Sequence, residues 1–417
     1  MIISLKVSDI KSFKQAELYL DRMTLLVGAN ASGKSNLLEG IHLLAWLAQG
    51  SRLNDQDVDP SKGALSPHGT LLELVRRGQT TLGVGAIVLQ DDLWAYFCEL
   101  RVVKSEQHAE GTFLVSFECL GHSTSLQPVF LFRSDPLSTA LQCDITFEGV
   151  EKGRKMPRVT CSREQTILTQ LSTPSLFPAG LTRKQIPPLM EKVRSYLTRI
   201  FFLDPIPSKM RNYNQLNDQR LAPSGYNLSS VLYRLCQTPD VKAGLLEFIR
   251  TLPEQNIQSI DFLLGSQNDV IVALTETFGG VAQQFDAGML SDGMLRILAM
   301  AAALYSVPAG SLVVMEELDN GIHPSRAQHL LAQMLAVAEE RDIQVLLTTH
   351  SPALMDALPE EAVPFTSFCY RDPQSGESKL VRLTELEDYD RLMLQGSLGQ
   401  LVTRGSLDRK VKNPSKT

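Results

Sequence analysis

Residues 24–36 read Thr-Leu-Leu-Val-Gly-Ala-Asn-Ala-Ser-Gly-Lys-Ser-Asn, and no other stretch constrains the fold as much. Gly28 through Ser35 fit the pattern G-x-x-x-x-G-K-[ST], a phosphate-binding loop. In such a loop the backbone of Gly28, Ala29, Asn30, Ala31, Ser32 and Gly33 rings a β-phosphate, Lys34 reaches the β- and γ-oxygens, and the Ser35 hydroxyl ligates Mg²⁺. The context the pattern needs is present. Met23 to Val27 is an apolar run, and Leu37, Leu38, Ile41, Leu44 and Leu47 recur at helical spacing behind the loop. The spacing predicts a helix over 33–48 whose positive dipole end faces the phosphates, with Asn36 in its first turn among the binding residues. A chain organised on a strand, a phosphate loop and a helix is α/β.

At 417 residues the chain can hold two or three domains and a large core. Its 43% hydrophobic and 21% charged residues exclude a mainly disordered chain or a coiled-coil rod. A net charge of −6 argues against a surface that is wholly a nucleic-acid footprint and leaves room for a local basic groove. Cys98, Cys119, Cys143, Cys161, Cys236 and Cys369 form no C-x-x-C pair, so buried, reduced thiols in a cytoplasmic protein are expected in place of zinc or a redox dithiol. No run approaches the roughly 20 apolar residues of a membrane span. The N-terminus lacks the charged and then apolar pattern of an export signal.

Short strands are expected at 2–7 and 16–27, enclosing the turn Asp9-Ile10-Lys11-Ser12-Phe13-Lys14. There Phe13 could lie against a nucleotide base with Lys11 or Lys14 near a phosphate; a core Phe between two exposed lysines fits the residues equally. Residues 50–80 are rich in Ser, Asp, Gly and Pro and read as a loop. The β-type runs 81–90, 93–103, 112–120, 128–133 and 142–148 are too closely spaced for βαβ units and predict an antiparallel sheet. Helices are expected at 184–198 and 226–252, and strand at 257–275. Beyond these, a helix at 292–305, a strand at 311–315, a helix at 323–340, a strand at 343–348 and a helix at 351–357 alternate as in a covered parallel sheet. Apolar runs at 362–370 and 378–384 follow. The basic tail Arg409-Lys410-Val411-Lys412 reads as a frayed terminus, and Asp388-Tyr389-Asp390 as a solvated turn.

The strand Ser311 to Met315 ends in Glu316 and Glu317. Successive side chains at a strand end point to opposite sides, so adjacent acids can do different work. Glu316 suits the Mg²⁺ hydration shell, and Glu317 suits orienting and polarising a water. Upstream, Ser291-Asp292-Gly293 opens a helix, where a hydroxyl and free N–H groups can hold an anion. Downstream, His350 stands just past the apolar strand Leu346-Leu347-Thr348-Thr349, where a γ-phosphate sensor is needed.

In this order the pieces resemble the ABC-type ATPase heads of the RecF, structural-maintenance-of-chromosomes (SMC) and overcoming-lysogenisation-defect group. Residues 1–48 and 285–357 carry the resemblance. It implies an ABC-ATPase head: a P-loop parallel or mixed sheet flanked by helices, with an antiparallel β lobe and a compact helical insert. The implied partition is an ATP-binding core of 1–50 and 255–417, a lobe of 51–165 and an insert of 166–254. Carried over residue by residue, Lys34, Glu316, Glu317 and His350 are catalytic, and Ser35 and Glu316 hold Mg²⁺. Gly28 to Asn36 bind ATP, with the signature Ser291, Asp292 and Gly293 completing the site of a second copy. Asn320-Gly321-Ile322-His323-Pro324 corresponds to the D-loop, and Gln79 or Gln90 to the glutamine loop.

The resemblance therefore implies ATP and Mg²⁺ as cofactors and a homodimer or larger homo-oligomer. Two departures stand out: Glu316 replaces the usual Asp, and Asp292 replaces the second glycine of the signature. A carboxylate facing a γ-phosphate repels it, so Asp292 is expected to point away while Ser291 and the Gly293 N–H make the contact. Ring-forming motors and GTPases place their acidic strand within roughly a hundred residues of the phosphate loop, whereas well over half of this chain separates Lys34 from Glu316. Too few residues follow His350 for a Toprim nuclease domain. The chain thus looks like the stand-alone AAA_21-like ATPase subunits of anti-phage systems such as PARIS or Septu, which control a separate nuclease or toxin. The alternative is a RecF-like clamp with DNA as its partner.

Overall fold

The computed structural model describes residues 1–54, 70–89, 93–103, 112–122, 129–135, 140–147, 159–177, 181–250, 256–318 and 324–412. Strands β1 (Ile2–Ile10), β2 (Phe13–Tyr19) and β3 (Met23–Val27) lead to helix α1 (Lys34–Gln49) and the single turn α2 (Leu71–Leu74). Then come β4 (Thr81–Leu89), β5 (Leu93–Val103), β6 (Thr112–His122), β7 (Val129–Ser134), β8 (Gln142–Phe147) and β9 (Val159–Ser162), followed by α3 (Ile167–Leu171) and α4 (Leu181–Thr198). The chain continues through β10 (Ile200–Leu203), β11 (Asn214–Gln215), α5 (Leu228–Leu235), α6 (Pro239–Arg250), β12 (Ile257–Leu264), β13 (Asp269–Phe278) and β14 (Val281–Asp286). Helix α7 (Asp292–Ser306), β15 (Leu312–Met315), α8 (Pro324–Glu340), β16 (Gln344–Thr349) and α9 (Pro352–Asp356) follow. The chain closes with β17 (Thr366–Arg371), β18 (Ser378–Arg382), α10 (Tyr389–Met393), α11 (Leu398–Thr403) and α12 (Ser406–Lys412).

Packing divides the chain into two units: Met1–Leu20, Ala29–Ile200 and Ser367–Val381 form one, and Asp21–Gly28, Phe201–Thr366 and Arg382–Thr417 the other. Strand β1 pairs antiparallel with β2 on one side and with β4 on the other, so the N-terminal hairpin and the strands that follow α2 share one sheet.

In the first unit that sheet runs β2-β1-β4-β5-β6-β7-β8-β9. Helix α1 packs on β1 and β4 through its apolar face, and α3 and α4 pack on α1. Leu37, Leu38, Ile41, Leu44 and Leu47 are all buried there, as their spacing requires. Two buried charges organise the far half of the sheet. Arg163, fully buried, donates to the carbonyls of Val115, Ser116 and Asp135. Glu118, also fully buried, accepts from the Ile167 and Leu168 N–H groups at 2.6 and 2.8 Å and from the Tyr96 hydroxyl at 3.0 Å. Burial pushes its carboxyl up from 4.5 to about 7, with the Leu168 and Ile167 N–H groups pulling the other way.

In the second unit β10, β15, β16 and β3 are neighbours in that order, and β15, β16 and β3 are parallel. Every residue of these three parallel strands is buried, the continuous apolar pattern of a sheet covered on both faces. A smaller antiparallel sheet centres on β13, which pairs with β11, β12 and β14. Helix α5 packs on β13 and α7, and α6 packs on α7 and β12.

Several expectations shift. The helix expected over 226–252 breaks before Pro239, whose ring cannot continue the α5 ladder. The strand expected over 257–275 is a hairpin, turned at Asn268 with φ 58°. The basic tail is helical through Lys412, with Lys410 paired to Asp388 and Lys412 to Asp408. Asp388 lies in an exposed turn, as expected, and its left-handed backbone opens the short helix α10 that takes Tyr389 and Asp390. Five of the cysteines are buried and Cys236 is partly so, all as free thiols. Burial pushes Cys119 and Cys161 up to about 12, too high for a reactive thiolate.

Candidate functional site

The parallel ladder decides where the candidate residues of the second unit fall. Met315 pairs with Leu347, Leu347 with Leu25, and Thr349 with Val27. Strands β16 and β3 therefore end level with each other and β15 ends two residues short of them; Glu316, His350 and Gly28 are the residues that leave the three strands at this end of the sheet. At the carboxyl ends of parallel strands this is where open α/β sheets bind ligands.

The exit of β15 is built with strain. Glu317 has φ 50°, a left-handed conformation rare for a residue with a side chain. It is held there from β16: the Glu317 N–H donates to Thr348 Oγ1 at 3.0 Å, and the Leu318 N–H to the Thr348 carbonyl at 3.1 Å. Thr348 and Leu318 are buried, while Glu316 and Glu317 are exposed. The turn thus lifts two carboxylates out of an apolar sheet edge. On β16 itself the Ser351 N–H donates to Thr349 Oγ1 at 3.0 Å, which shapes the turn carrying the exposed His350.

In the first unit the loop from Ala29 to Asn36 is gripped by residues far away in sequence. Ser378, at the start of β18, donates through its hydroxyl to the Ser32 carbonyl at 2.5 Å and lies 2.7 Å from Ser12 Oγ. Asn36 Nδ2 donates to Ser12 Oγ at 2.7 Å, Arg371 Nε to the Ala31 carbonyl at 3.2 Å, and Cys369 Sγ to the Ser32 carbonyl at 3.4 Å. Gly33 adopts φ 118°, and a side chain there would run into the Ser378 hydroxyl. Lys34 Nζ donates to the Ala29 carbonyl at 3.1 Å, inside its own loop.

The loop fits a triphosphate by two features of its own. Helix α1 has no side-chain cap, only left-handed Gly33, so its first N–H groups point at an anion position. The buried Ser32 hydroxyl has no hydrogen-bond partner. The Ser35 hydroxyl and the Glu316 carboxylate are each hard oxygen donors, of the chemical kind that Mg²⁺ takes alongside phosphate oxygens. Among the described residues no group of three or more His, Cys, Asp or Glu forms a metal site.

The signature lies at the start of α7. Ser291 is its N-cap, accepting the Met294 N–H at 3.2 Å, and both Ser291 and Asp292 are exposed. Asp292 is paired with Arg211. The same guanidinium donates to the carbonyls of Gly288 at 2.9 Å and Leu290 at 2.7 Å.

Other expectations resolve differently. Phe13 is buried and belongs to the core, while Lys11 pairs with Glu39. Residues 320–323 of the expected D-loop and Gln90 lie outside the described residues; Gln79 is exposed, its N–H donating to the Arg76 carbonyl at 3.0 Å. Sequence reading missed Thr348, Ser378, Arg371 and Arg211. Ser12 and Thr348 sat inside stretches already singled out, but nothing in their own neighbourhoods signals which distant backbone they hold.

Parallel strands whose carboxyl ends lead into Gly28, the adjacent acids and the histidine have the arrangement expected of an ABC-type ATPase head. The family model described as "AAA domain, putative AbiEii toxin, Type IV TA system" matches residues 23–92 and 188–356, more than half of the chain. The chain belongs to that family. No curated protein matches the sequence. Among solved structures the chain is similar to the SMC head domain from Thermotoga maritima, at 13% identity and a TM-score of 0.44 over 91% of this chain and 98% of that one. It is similar also to an Smc head with an extended coiled coil bound to the C-terminal domain of ScpA, from Pyrococcus furiosus, at 13% identity and 0.43 over 98% and 99%. Among the described residues no helix is long and apolar enough to cross a membrane.

Proposed function

We propose that this chain hydrolyses ATP in a site shared between two copies, and that ATP-driven pairing switches a separate effector protein, a nuclease or toxin, in bacterial anti-phage defence. One observation carries the catalytic part: Gly28, Glu316 with Glu317, and His350 leave neighbouring parallel strands at one sheet edge. Lys34 moves from the Ala29 carbonyl to the phosphates. Ser35 and Glu316 would hold Mg²⁺, which would supply positive charge to offset that of the triphosphate. Glu317, fixed by Thr348, orients the attacking water, and His350 senses the γ-phosphate. Ser291 and the α7 N-terminus of the second copy close the site. The effector role is supported by the toxin–antitoxin wording of the matching family.

Single-turnover hydrolysis tests the catalytic part. The parent chain converts bound ATP to ADP, Lys34→Ala loses most ATP binding, and Glu317→Gln binds normally but cleaves at least about a hundredfold more slowly. Equal rates for Glu317→Gln and parent would refute the assignment. Recovery of a nuclease or toxin with the native chain, in a nucleotide-dependent ratio, tests the effector role. An effector-free chain that binds DNA only with ATP would replace it with a clamp.

A further inference from the structure

An acid in the signature needs an explanation. Asp292 stands beside Ser291, the residue that would face a triphosphate, and its side chain is 69% exposed. Left alone, a carboxylate there would oppose the approach of any phosphate. It is not left alone. Arg211, from the segment before β11, reaches it through Nη2, and through Nη1 donates to the carbonyls of Ala287, Gly288 and Leu290 at 3.4, 2.9 and 2.7 Å. One side chain thus spans most of the connection between β14 and α7.

The rest of that connection is pinned as well. The Gly288 N–H donates to Asp286 Oδ1 at 2.9 Å, the Met289 N–H to the Asp286 carbonyl at 2.9 Å, and the Ala287 N–H to the Val272 carbonyl at 2.9 Å. The guanidinium ties the carbonyls of this loop to the side chain of Asp292, the first residue of α7. Lysine could neutralise Asp292, but its single ammonium lacks the planar fork that holds a carboxylate and several carbonyls at once.

We infer that Arg211 is a positioning residue of the signature: it neutralises Asp292 and fixes residues 287–292 so that Ser291 and the α7 N-terminus meet the triphosphate of the other copy. This rests on the paired-copy reading above. Arg211 acts through the signature, and its effect is largely electrostatic, so removing the acid offsets the loss of the cation.

The test uses full-length chain carrying Glu317→Gln, with pairing followed by sedimentation in Mg·ATP. Arg211→Gln keeps hydrogen bonding to the carbonyls and loses the charge. It is expected to weaken pairing by about tenfold or more while a fluorescent ATP analogue still binds the monomer at parental affinity. The deficit should narrow as ionic strength rises, because screening weakens the repulsion. Adding Asp292→Gly to Arg211→Gln should restore most of the pairing. Should Arg211→Gln fail to fold, Arg211→Lys, which keeps a charge, gives the same comparison with a smaller deficit. Parental pairing by Arg211→Gln, or a double variant no better than the single one, overturns the inference alone. A Glu317→Gln parent that stays monomeric in Mg·ATP overturns the paired-copy reading and the inference with it.

Discussion

Glu317 shows how a strained backbone conformation is held from a neighbouring strand. A left-handed φ at a residue with a side chain costs on the order of 1–3 kcal/mol and persists only where neighbours hold it. Here the neighbour is Thr348, through both its hydroxyl and its carbonyl. Thr348→Val removes the hydroxyl acceptor but keeps shape and burial. Its expected effect is a fall in kcat of roughly ten- to a hundredfold, because small displacements of a catalytic group are costly, with ATP affinity unchanged. Rapid-quench hydrolysis beside equilibrium ATP binding checks this; equal losses in both would mean that Thr348 supports the whole sheet edge. The phosphate loop, the paired acids and the histidine could be proposed from the sequence because each follows an apolar strand, and the structure places those strands side by side. Thr348, Ser378 and Arg211 were not, since a hydroxyl or guanidinium that grips a backbone far away in sequence leaves no local pattern.

Among the elements, the strands around the phosphate loop were readable from their uniform apolar character, and α1 from its three- and four-residue spacing. The lobe was readable as antiparallel strands but not as a continuation of β1 and β2, because strand partners follow from hydrogen bonding across space. The hairpin of β12 and β13 was merged into one strand, since its short turn interrupts the apolar run too briefly to be seen. Glu118 ties β6 to the start of α3. With its carboxyl raised from 4.5 to about 7, the folded chain holds that proton more tightly than the unfolded chain does. Stability contributed by the protonated form is therefore complete below about 4.5 and is lost as pH rises through about 7, by on the order of 3 kcal/mol in total. Thermal unfolding across this range should show that decline in the parent and a flatter profile in Glu118→Gln. Parallel profiles would mean that Glu118 stays ionised throughout.

For the whole molecule, membership of the family supports an ATPase, and the exposed Ser291 is what the proposed site completed by a second copy requires. Ser291→Arg should leave ATP binding to the monomer intact while reducing steady-state hydrolysis by at least about tenfold, because the bulk and charge fall on the face that meets the other copy. If that substitution abolished binding in the monomer, the signature would belong to the site of its own chain.

Mixing two crippled chains tests the shared site most directly. Lys34→Ala lacks a working phosphate loop but keeps its signature, and Ser291→Arg has the reverse defect. If each copy completes the other's site, an equimolar mixture contains pairs with one intact composite site, and its ATP hydrolysis rises well above the sum of the two variants alone. A mixture no more active than that sum would contradict the account.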